Sequence, residues 1–182
     1  MFSLKTIHTC LLQKHTIILF VLIASITPVT AYALDKLVRL ANLPTTSIQQ
    51  LTELATESDW HVRQTVAMNR KTPEDVLLKL AQDPVQDVRI AVCTNLSTTE
   101  SIFFVLAKDE SEQVRSVVAR FEYVTAAVLA SMANDSSTDI RLEVARNWNT
   151  DIPTLKKLSK DEFEEVKNMA LHSLSDRDQQ KQ

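Results

Sequence analysis

Glycine is absent from the 182-residue sequence, and proline occurs only five times. Without glycine the chain cannot form the Gly-rich phosphate loops of nucleotide enzymes, nor the glycine turns on which compact β proteins rely. Helices tolerate this absence best, because glycine is unfavourable inside them. Since 45% of the residues are hydrophobic and 24% are charged, the chain can bury one continuous core. The composition therefore predicts one helix-rich domain.

Cysteine and histidine are also scarce, with two and four residues respectively. After residue 33 only Cys93, His61 and His172 remain, whereas a zinc site needs about four clustered ligands. We therefore expect no metal and no cofactor. No Ser/His/Asp or paired-carboxylate arrangement stands out from the other polar residues. The sequence predicts no catalytic residues, and we expect the protein not to be an enzyme.

The segment from Met1 to Ala33 has the pattern of a removable secretion signal. Lys5 and Lys14 precede an apolar run from Ile17 to Val29, and an Ala-x-Ala sequence then ends at Ala33. We expect cleavage after Ala33 and a periplasmic or secreted protein. The alternative is an uncleaved membrane anchor, although a spanning helix needs about 20 apolar residues and this run is shorter.

Cleavage would make the chain more acidic. Loss of Lys5 and Lys14 from the 20 basic residues leaves 18 against 23 acidic ones, a net charge of −5. Such a balance repels phosphate backbones and disfavours nucleic acid as a partner. We also expect no membrane association once the leader is removed.

The rest of the chain repeats with a 26-residue period. Its clearest landmarks are a basic and an acidic position that recur at this spacing. The basic column is Arg63, Arg89, Arg115, Arg141 and Lys167, and the acidic column is Glu57, Asp83, Asp109, Asp135 and Asp161. Fixed periods of this length are typical of solenoids. We predict an all-α solenoid of five helix-turn-helix units.

The landmarks also give the expected boundaries. The five units span residues 46–71, 72–97, 98–123, 124–149 and 150–175. The segment 34–45 precedes them as an N-terminal cap, because Leu40-Ala41-Asn42 is similar to the end of a second helix. The segment 176–182 is wholly polar, and we expect this tail to be frayed.

Each unit is predicted to hold a helix A and a helix B. Apolar residues recur at i, i+3 and i+4 in helix A, as in Leu77, Leu80 and Ala81. In helix B they recur as in Val88, Val92 and Cys93. Alanine occupies the position of Cys93 in units one, three and four, so we interpret this cysteine as a buried, inert thiol rather than a nucleophile.

Polar residues at fixed positions predict the helix ends. Threonine begins four of the five units, and we expect its hydroxyl to cap the N-terminus of helix A. The acidic column resembles capping boxes that open helix B. Asn69, Asn95 and Asn147 end helix B, where asparagine can replace glycine in the left-handed conformation that closes many helices.

The pattern Leu80-Ala81-x-Asp83-x4-Val88-Arg89-x2-Val92-x2-Asn95, preceded by Thr72-Pro73, resembles the leucine-rich repeat variant family. This bacterial family is similar to HEAT-type and armadillo-like repeats. The resemblance covers residues 46–173 and implies a right-handed superhelix, in which helix B can be partly 3₁₀. It implies an interaction or scaffold module. Cys93 stands alone, so the iron–sulfur cysteines of some members have no counterpart here.

The regular spacing of the arginines has two interpretations. They could form an exposed basic stripe, or each guanidinium could pair with an acidic residue or carbonyl of the neighbouring unit. The second suits arginine, whose planar fork binds carboxylates bidentately. We therefore predict a structural ladder, and its members are Arg63, Arg89, Arg115, Arg141, Asp83, Asp109, Asp135 and Asp161.

Candidate binding residues are those that break the repeat where solvent is expected. Phe121 replaces the helix-ending asparagine, and Tyr123 and Trp148 are aromatic where other units are not. Arg120 and Arg146 lie beside them one unit apart. Exposed aromatics with arginine are typical of interaction hot spots. The alternative is that Phe121 and Tyr123 only fill a gap between units. Trp60 and His61 form a second, weaker candidate patch.

We interpret the chain as an exported, non-catalytic scaffold that binds a protein or peptide. Two alternatives come from other functional classes. Some helical repeats bind or repair nucleic acid, which the charge and the leader oppose. Some HEAT-like proteins are lyases or accessory proteins that act on bound chromophores, but fold analogy alone is weak support for this function.

Overall fold

A computed structural model of the chain describes residues 31–179. Residues 31–42 are helical, and the chain divides into two units between Leu40 and Ala41. The leader predicted for residues 1–33 lies outside the described residues except at its end. Among the helices of the described part, none is both long and apolar enough to cross a membrane.

Helices of two kinds alternate through the second unit, and each pair repeats the one before it with a 26-residue offset. The A helices are α1 (Ile48–Leu54), α3 (Glu74–Leu80), α5 (Glu100–Leu106), α7 (Ala126–Met132) and α9 (Ile152–Leu158). The B helices are α2 (Trp60–Met68), α4 (Gln86–Thr94), α6 (Glu112–Arg120), α8 (Thr138–Arg146) and α10 (Glu164–Gln179). Residues 31–179 contain no strand. The predicted all-α repeat solenoid is confirmed.

The B helices form the continuous row of the solenoid, because each packs on the next one along the chain and on its own helix A. Helices α2, α4, α6 and α8 are α-helices of nine residues, so the partly 3₁₀ helix B that the resemblance allowed is not formed. Helix α10 is longer and continues to Gln179. The prediction of a frayed tail is therefore wrong for residues 176–179, where Arg177 donates hydrogen bonds to the carbonyls of Trp148 and Thr150.

The core follows the predicted apolar positions. Leu77, Leu80, Val88 and Val92 of unit two are buried. The equivalent positions of the other four units are buried as well. A helix of seven to nine residues is unstable alone in water, so this shared burial supplies its stability.

One ion pair joins each unit to the next, and no side chain of these four pairs is more than 13% exposed. The Nε atom of Arg89 lies 2.6 Å from Oδ2 of Asp109, and its Nη2 atom lies 2.9 Å from Oδ1. The third donor, Nη1, bonds the carbonyl of Asp83 at 2.8 Å. The same three contacts recur in the other pairs, which are Arg63 with Asp83, Arg115 with Asp135 and Arg141 with Asp161. We call this column the arginine–aspartate ladder.

The aspartates do not form the predicted capping boxes. Helix α4 is preceded by Val85, which supplies no capping side chain, and Asp83 lies two residues earlier. The Asp83 carboxylate accepts the Val85 N–H at 2.9 Å while it also binds Arg63. Asp109, Asp135 and Asp161 accept the corresponding N–H groups in the same way. The capping box is absent because the aspartate lies two residues before the N-cap, and its carboxylate bonds the N-cap N–H and an arginine of the preceding unit instead.

The asparagines follow helix B as predicted, but their predicted left-handed conformation is wrong. Asn95 has φ −76° and ψ 125°, which is extended, and none of residues 31–179 has a positive φ. Its Nδ2 group donates to the carbonyls of Ala67 at 2.6 Å and Asn69 at 2.9 Å, in the preceding unit. Its Oδ1 atom accepts the Ser97 N–H at 2.8 Å. Side-chain bonds therefore close the turn, and no glycine is required.

The threonines that begin the units do not cap helix A. The N-cap lies one residue later, at Pro73 in unit two and Thr99 in unit three. The buried Thr72 hydroxyl instead donates to the carbonyl of Val66 at 2.6 Å. Thr98 and Thr150 bond Val92 and Val144 in the same way. The last carbonyls of a helix lack partners within it, and this hydroxyl satisfies one of them.

The last pair of the ladder, Arg141 with Asp161, makes the stability of the fold depend on pH. The Arg141 guanidinium beside Asp161 lowers the pKa of that carboxyl below its ordinary value of 3.8. Stability from this pair is present above pH 4 and is lost as pH falls through the lowered pKa, because the unfolded chain takes up the proton first. We expect Asp161→Asn to destabilise the fold at pH 7, and its difference from wild type to shrink between pH 4 and pH 2. Urea denaturation at each pH measures this.

The exposed neighbour Glu162 provides the matched control. Glu162→Gln should leave the free energy of unfolding within about 0.5 kcal/mol of wild type at every pH, as is usual for surface substitutions. An Asp161→Asn difference that stayed constant from pH 7 to pH 2 would contradict the assigned origin of the pKa shift.

Candidate functional site

The turns from each helix B to the next helix A form one continuous edge, which we call the B–A edge. Its turns run from the last residue of helix B to the N-cap of the next helix A, at 68–73, 94–99, 120–125 and 146–151. Neighbouring turns are bonded to each other, as where Nδ2 of Asn149 donates to the carbonyl of Glu122 at 2.7 Å. The edge is therefore a fixed surface rather than a set of separate loops.

An open groove of about 700 Å³ lies on this edge between units three and four. Arg120 and Glu122 line it from unit three, and Arg146, Trp148 and Asn149 from unit four. The structure thus brings together three of the five main candidates, Arg120, Arg146 and Trp148. We call this cavity the Trp148 groove.

The two arginines of the groove differ in their contacts. Nη1 of Arg146 lies 2.9 Å from Oε1 of Glu143, a groove residue that the sequence analysis missed. The side chain of Arg120 is exposed and has neither an ion-pair nor a hydrogen-bond partner among residues 31–179. Arg120 is therefore the positive charge that a ligand in the groove can pair with.

Trp148 stands between two hollows. It lines the Trp148 groove on one side and a second hollow of about 270 Å³, with Met169 and His172, on the other. The Arg177 guanidinium lies 5.6 Å from the centre of its ring, so a cation–π contact orients an indole that remains 61% exposed. Arg177 comes from α10, and sequence reasoning missed this contact because Arg177 lies in the tail that was expected to be frayed.

Phe121 and Tyr123 form a row of rings with a residue of helix A. The ring centre of Phe121 lies 5.7 Å from that of Phe103 and 5.6 Å from that of Tyr123. Phe121 is half-buried and stands where units one, two and four have the turn-closing asparagine, and its ring contacts lie within unit three. Tyr123 is 62% exposed and presents its ring to solvent on the B–A edge. The pair thus combines packing by Phe121 with exposure of Tyr123.

Trp60 and His61 lie apart from the groove, at the start of helix α2 in unit one. Their rings stack with centres 3.8 Å apart. Asp59 caps the helix, and its Oδ1 atom lies 2.9 Å from Nδ1 of His61. This hydrogen bond lowers the pKa of Asp59 below its ordinary value. The stack is thus held by local contacts within unit one.

The Cys93 thiol in helix α4 is poorly suited to act as a nucleophile. Cys93 is buried there, and burial raises its pKa to about 12. A thiol with so high a pKa is a poor nucleophile, because the thiolate is the reactive form. Within residues 31–179, no three His, Cys, Asp or Glu side chains are grouped so that they could hold a metal ion.

Comparison with known proteins supports the repeat assignment. The leucine rich repeat variant family matches residues 60–85, which is one period from the first residue of α2 to the residue before α4. The predicted resemblance is confirmed over this stretch. No curated protein matches the chain. The match is consistent with a helical-repeat scaffold.

Proposed function

We propose that the protein is a non-enzymatic scaffold that binds a protein or peptide on the B–A edge, centred on the Trp148 groove. The observation that carries this proposal is the exposed Trp148 indole, which Arg177 holds between two hollows. It lines one groove together with Arg120, which has no partner among residues 31–179. Tryptophan and arginine are enriched among the residues that dominate binding energy. An indole fixed before binding also loses little entropy when a partner arrives.

We further propose that this function is exerted in the periplasm or outside the cell. Lys5, Lys14 and the Ala-x-Ala sequence ending at Ala33 support export. N-terminal sequencing of exported material tests it, and the expected first residue is Leu34. A mature chain that still began at Met1 would favour the membrane-anchored alternative.

The substitution Trp148→Ala tests the binding surface. We expect it to reduce crosslinking of partners to the full chain in its native compartment at least about 30-fold, the equivalent of the roughly 2 kcal/mol that a hot-spot residue contributes. Quantitative mass spectrometry of the crosslinked proteins measures this loss. Helical content should stay unchanged, since Trp148 is an exposed turn residue.

Leu96 provides a matched control for this experiment. It occupies the position of Trp148 in unit two and is also exposed, but it does not line the Trp148 groove. Leu96→Ala should retain the crosslinked partners. Equal recovery of every partner with wild type, Leu96→Ala and Trp148→Ala would remove the site assignment.

A further inference from the structure

We propose that helix α10 carries a dimer interface, on which α10 of a second copy of the chain packs antiparallel about a two-fold axis. The interface lies on the side of α10 that corresponds to the unit-to-unit contacts of the other B helices. This inference is independent of the Trp148 groove and goes beyond the proposed function. An uncovered packing position, a heptad spacing and a self-complementary order of charges support it.

Leu171 occupies a position that is fully buried in the other units. Each of its equivalents in units one to four is 0% exposed, and these are Ala67, Cys93, Ala119 and Ala145. They lie four residues after the ladder arginines, which reach the next unit, so they share the face that packs on it. In unit five, Leu171 is 50% exposed. Solenoids need a polar outer face at their ends, whereas this helix exposes a leucine.

Residues on this side of α10 follow a heptad spacing. Intervals of three and four residues keep them on one face of the helix. We call them the α10 seam, and they are Glu164, Lys167, Leu171, Leu174 and Asp178. The B helices of units one to four have nine residues and α10 has 16, so its extension adds the last two. The seam therefore has an apolar centre with charges at both ends.

The order of residues along the α10 seam is self-complementary. When two copies of α10 run antiparallel with their seams in contact, Leu171 of one copy lies opposite Leu174 of the other. Lys167 then lies opposite Asp178, and each of these contacts occurs twice. A parallel pair would place Lys167 against Lys167 and Asp178 against Asp178. The charges thus select the antiparallel pair, which a two-fold axis generates from identical chains.

The charged side chains of the seam are accessible for these contacts. Asp178 is exposed and has neither an ion-pair nor a hydrogen-bond partner among residues 31–179. Nζ of Lys167 lies 2.6 Å from Oε2 of Glu164 on the same helix, and the lysine side chain is 34% exposed. Lysine has three donors, so Lys167 can bind a second carboxylate without leaving the first. The leucines would supply affinity, and the ion pairs would fix the register.

Sedimentation velocity of the full chain, at concentrations from about 1 µM to about 1 mM, measures the association. We expect a monomer–dimer equilibrium with a Kd on the order of 100 µM, because a single helix pair is at the small end of specific interfaces. Leu171→Ala should raise this Kd at least about tenfold. The variant should fold normally, because alanine is the residue of units one, three and four at this position.

Charge reversal tests the antiparallel register. Lys167→Asp and Asp178→Lys should each weaken the dimer at least about tenfold, because each places like charges opposite one another twice. The double variant Lys167→Asp/Asp178→Lys restores both ion pairs with their signs exchanged, and its Kd should return to within about threefold of wild type. Glu165→Lys is the matched control, because Glu165 is exposed on the same helix but lies outside the seam. It should leave the Kd unchanged.

Three results would overturn the inference. The first is a chain that stays monomeric up to about 1 mM. The second is an unchanged Kd for Leu171→Ala, which would place the dimer contact elsewhere. The third is a double variant as weak as the single ones, which would exclude the antiparallel register. Trp148→Ala should leave the Kd of the dimer unchanged, so failure of the proposed function and failure of this inference are distinguishable.

Discussion

Asp109→Ala should lower the free energy of unfolding by about 3–5 kcal/mol, the range found when one partner of a buried ion pair is removed. Arg89 and Asp109 are among the most buried charged side chains of the described residues, with 8% and 6% of their side-chain surface exposed. Without the carboxylate, Nε and Nη2 of Arg89 lose their partners in a place that water barely reaches. The Ser111 N–H loses its acceptor as well.

Equilibrium unfolding in urea, followed by circular dichroism, measures this effect. Glu110→Ala is the matched control, because Glu110 is adjacent, and its carbonyl rather than its side chain contacts Arg115. That control should change stability by no more than about 0.5 kcal/mol. If the two variants were equally stable, the ladder would contribute no more than an ordinary surface charge.

Deletion of residues 72–97 should leave a cooperatively folded protein, whereas deletion of residues 72–84 should prevent folding. The longer deletion removes one period, so Arg63 meets Asp109 at the 20-residue separation that every pair of the ladder has. The B helices can then pack on each other as before. The shorter deletion removes helix α3 with the turn that follows it, and places α4 directly after α2.

Thermal melting followed by circular dichroism distinguishes the two outcomes. We expect one sharp transition at a lower temperature than wild type for the longer deletion, since a shorter solenoid has fewer interfaces. We expect no cooperative transition for the shorter deletion. The longer deletion keeps Arg120 and Trp148, so partner binding should survive it. A cooperative melt of the shorter deletion would show that the units are not the elements of stability.

The helical architecture was predictable because its signals lie within single units. The apolar positions of Leu77, Leu80 and Val88 identify faces of one helix, and the 26-residue period then places the same faces in every unit. Because arginine and aspartate recur at the same 26-residue period, the sequence also predicted that they pair between neighbouring units. No sequence rule was needed beyond helical periodicity and self-similarity.

The helix ends were predicted less well, because a polar side chain can satisfy more than one backbone group. Asn95 can close a helix in the left-handed conformation or bond a neighbouring turn, and the carbonyls of Ala67 and Asn69 that it binds belong to another unit. Thr72 can accept an N–H ahead of it or donate to a carbonyl behind it. Local sequence does not decide between such partners.

The residues that line the groove were only partly predictable from the sequence. Arg120, Arg146 and Trp148 stood out because they break the repeat on an exposed turn, and they line one cavity. Glu143 was hidden on a regular helix face. Arg177 was hidden in a tail predicted to be frayed, and its contact with Trp148 depends on the docking of α10.

Because no described turn has a positive φ, the residues that hold a turn differ from the residue whose side chain is exposed on it. Asn95 and Thr98 hold their turn, while Leu96 between them has an exposed side chain and a backbone that any residue type can adopt. The equivalent positions hold arginine, glutamate and tryptophan in other units. Selection can therefore vary the residue at this position in units one to four while the turn keeps its conformation, much as a combinatorial library varies chosen positions on a constant frame.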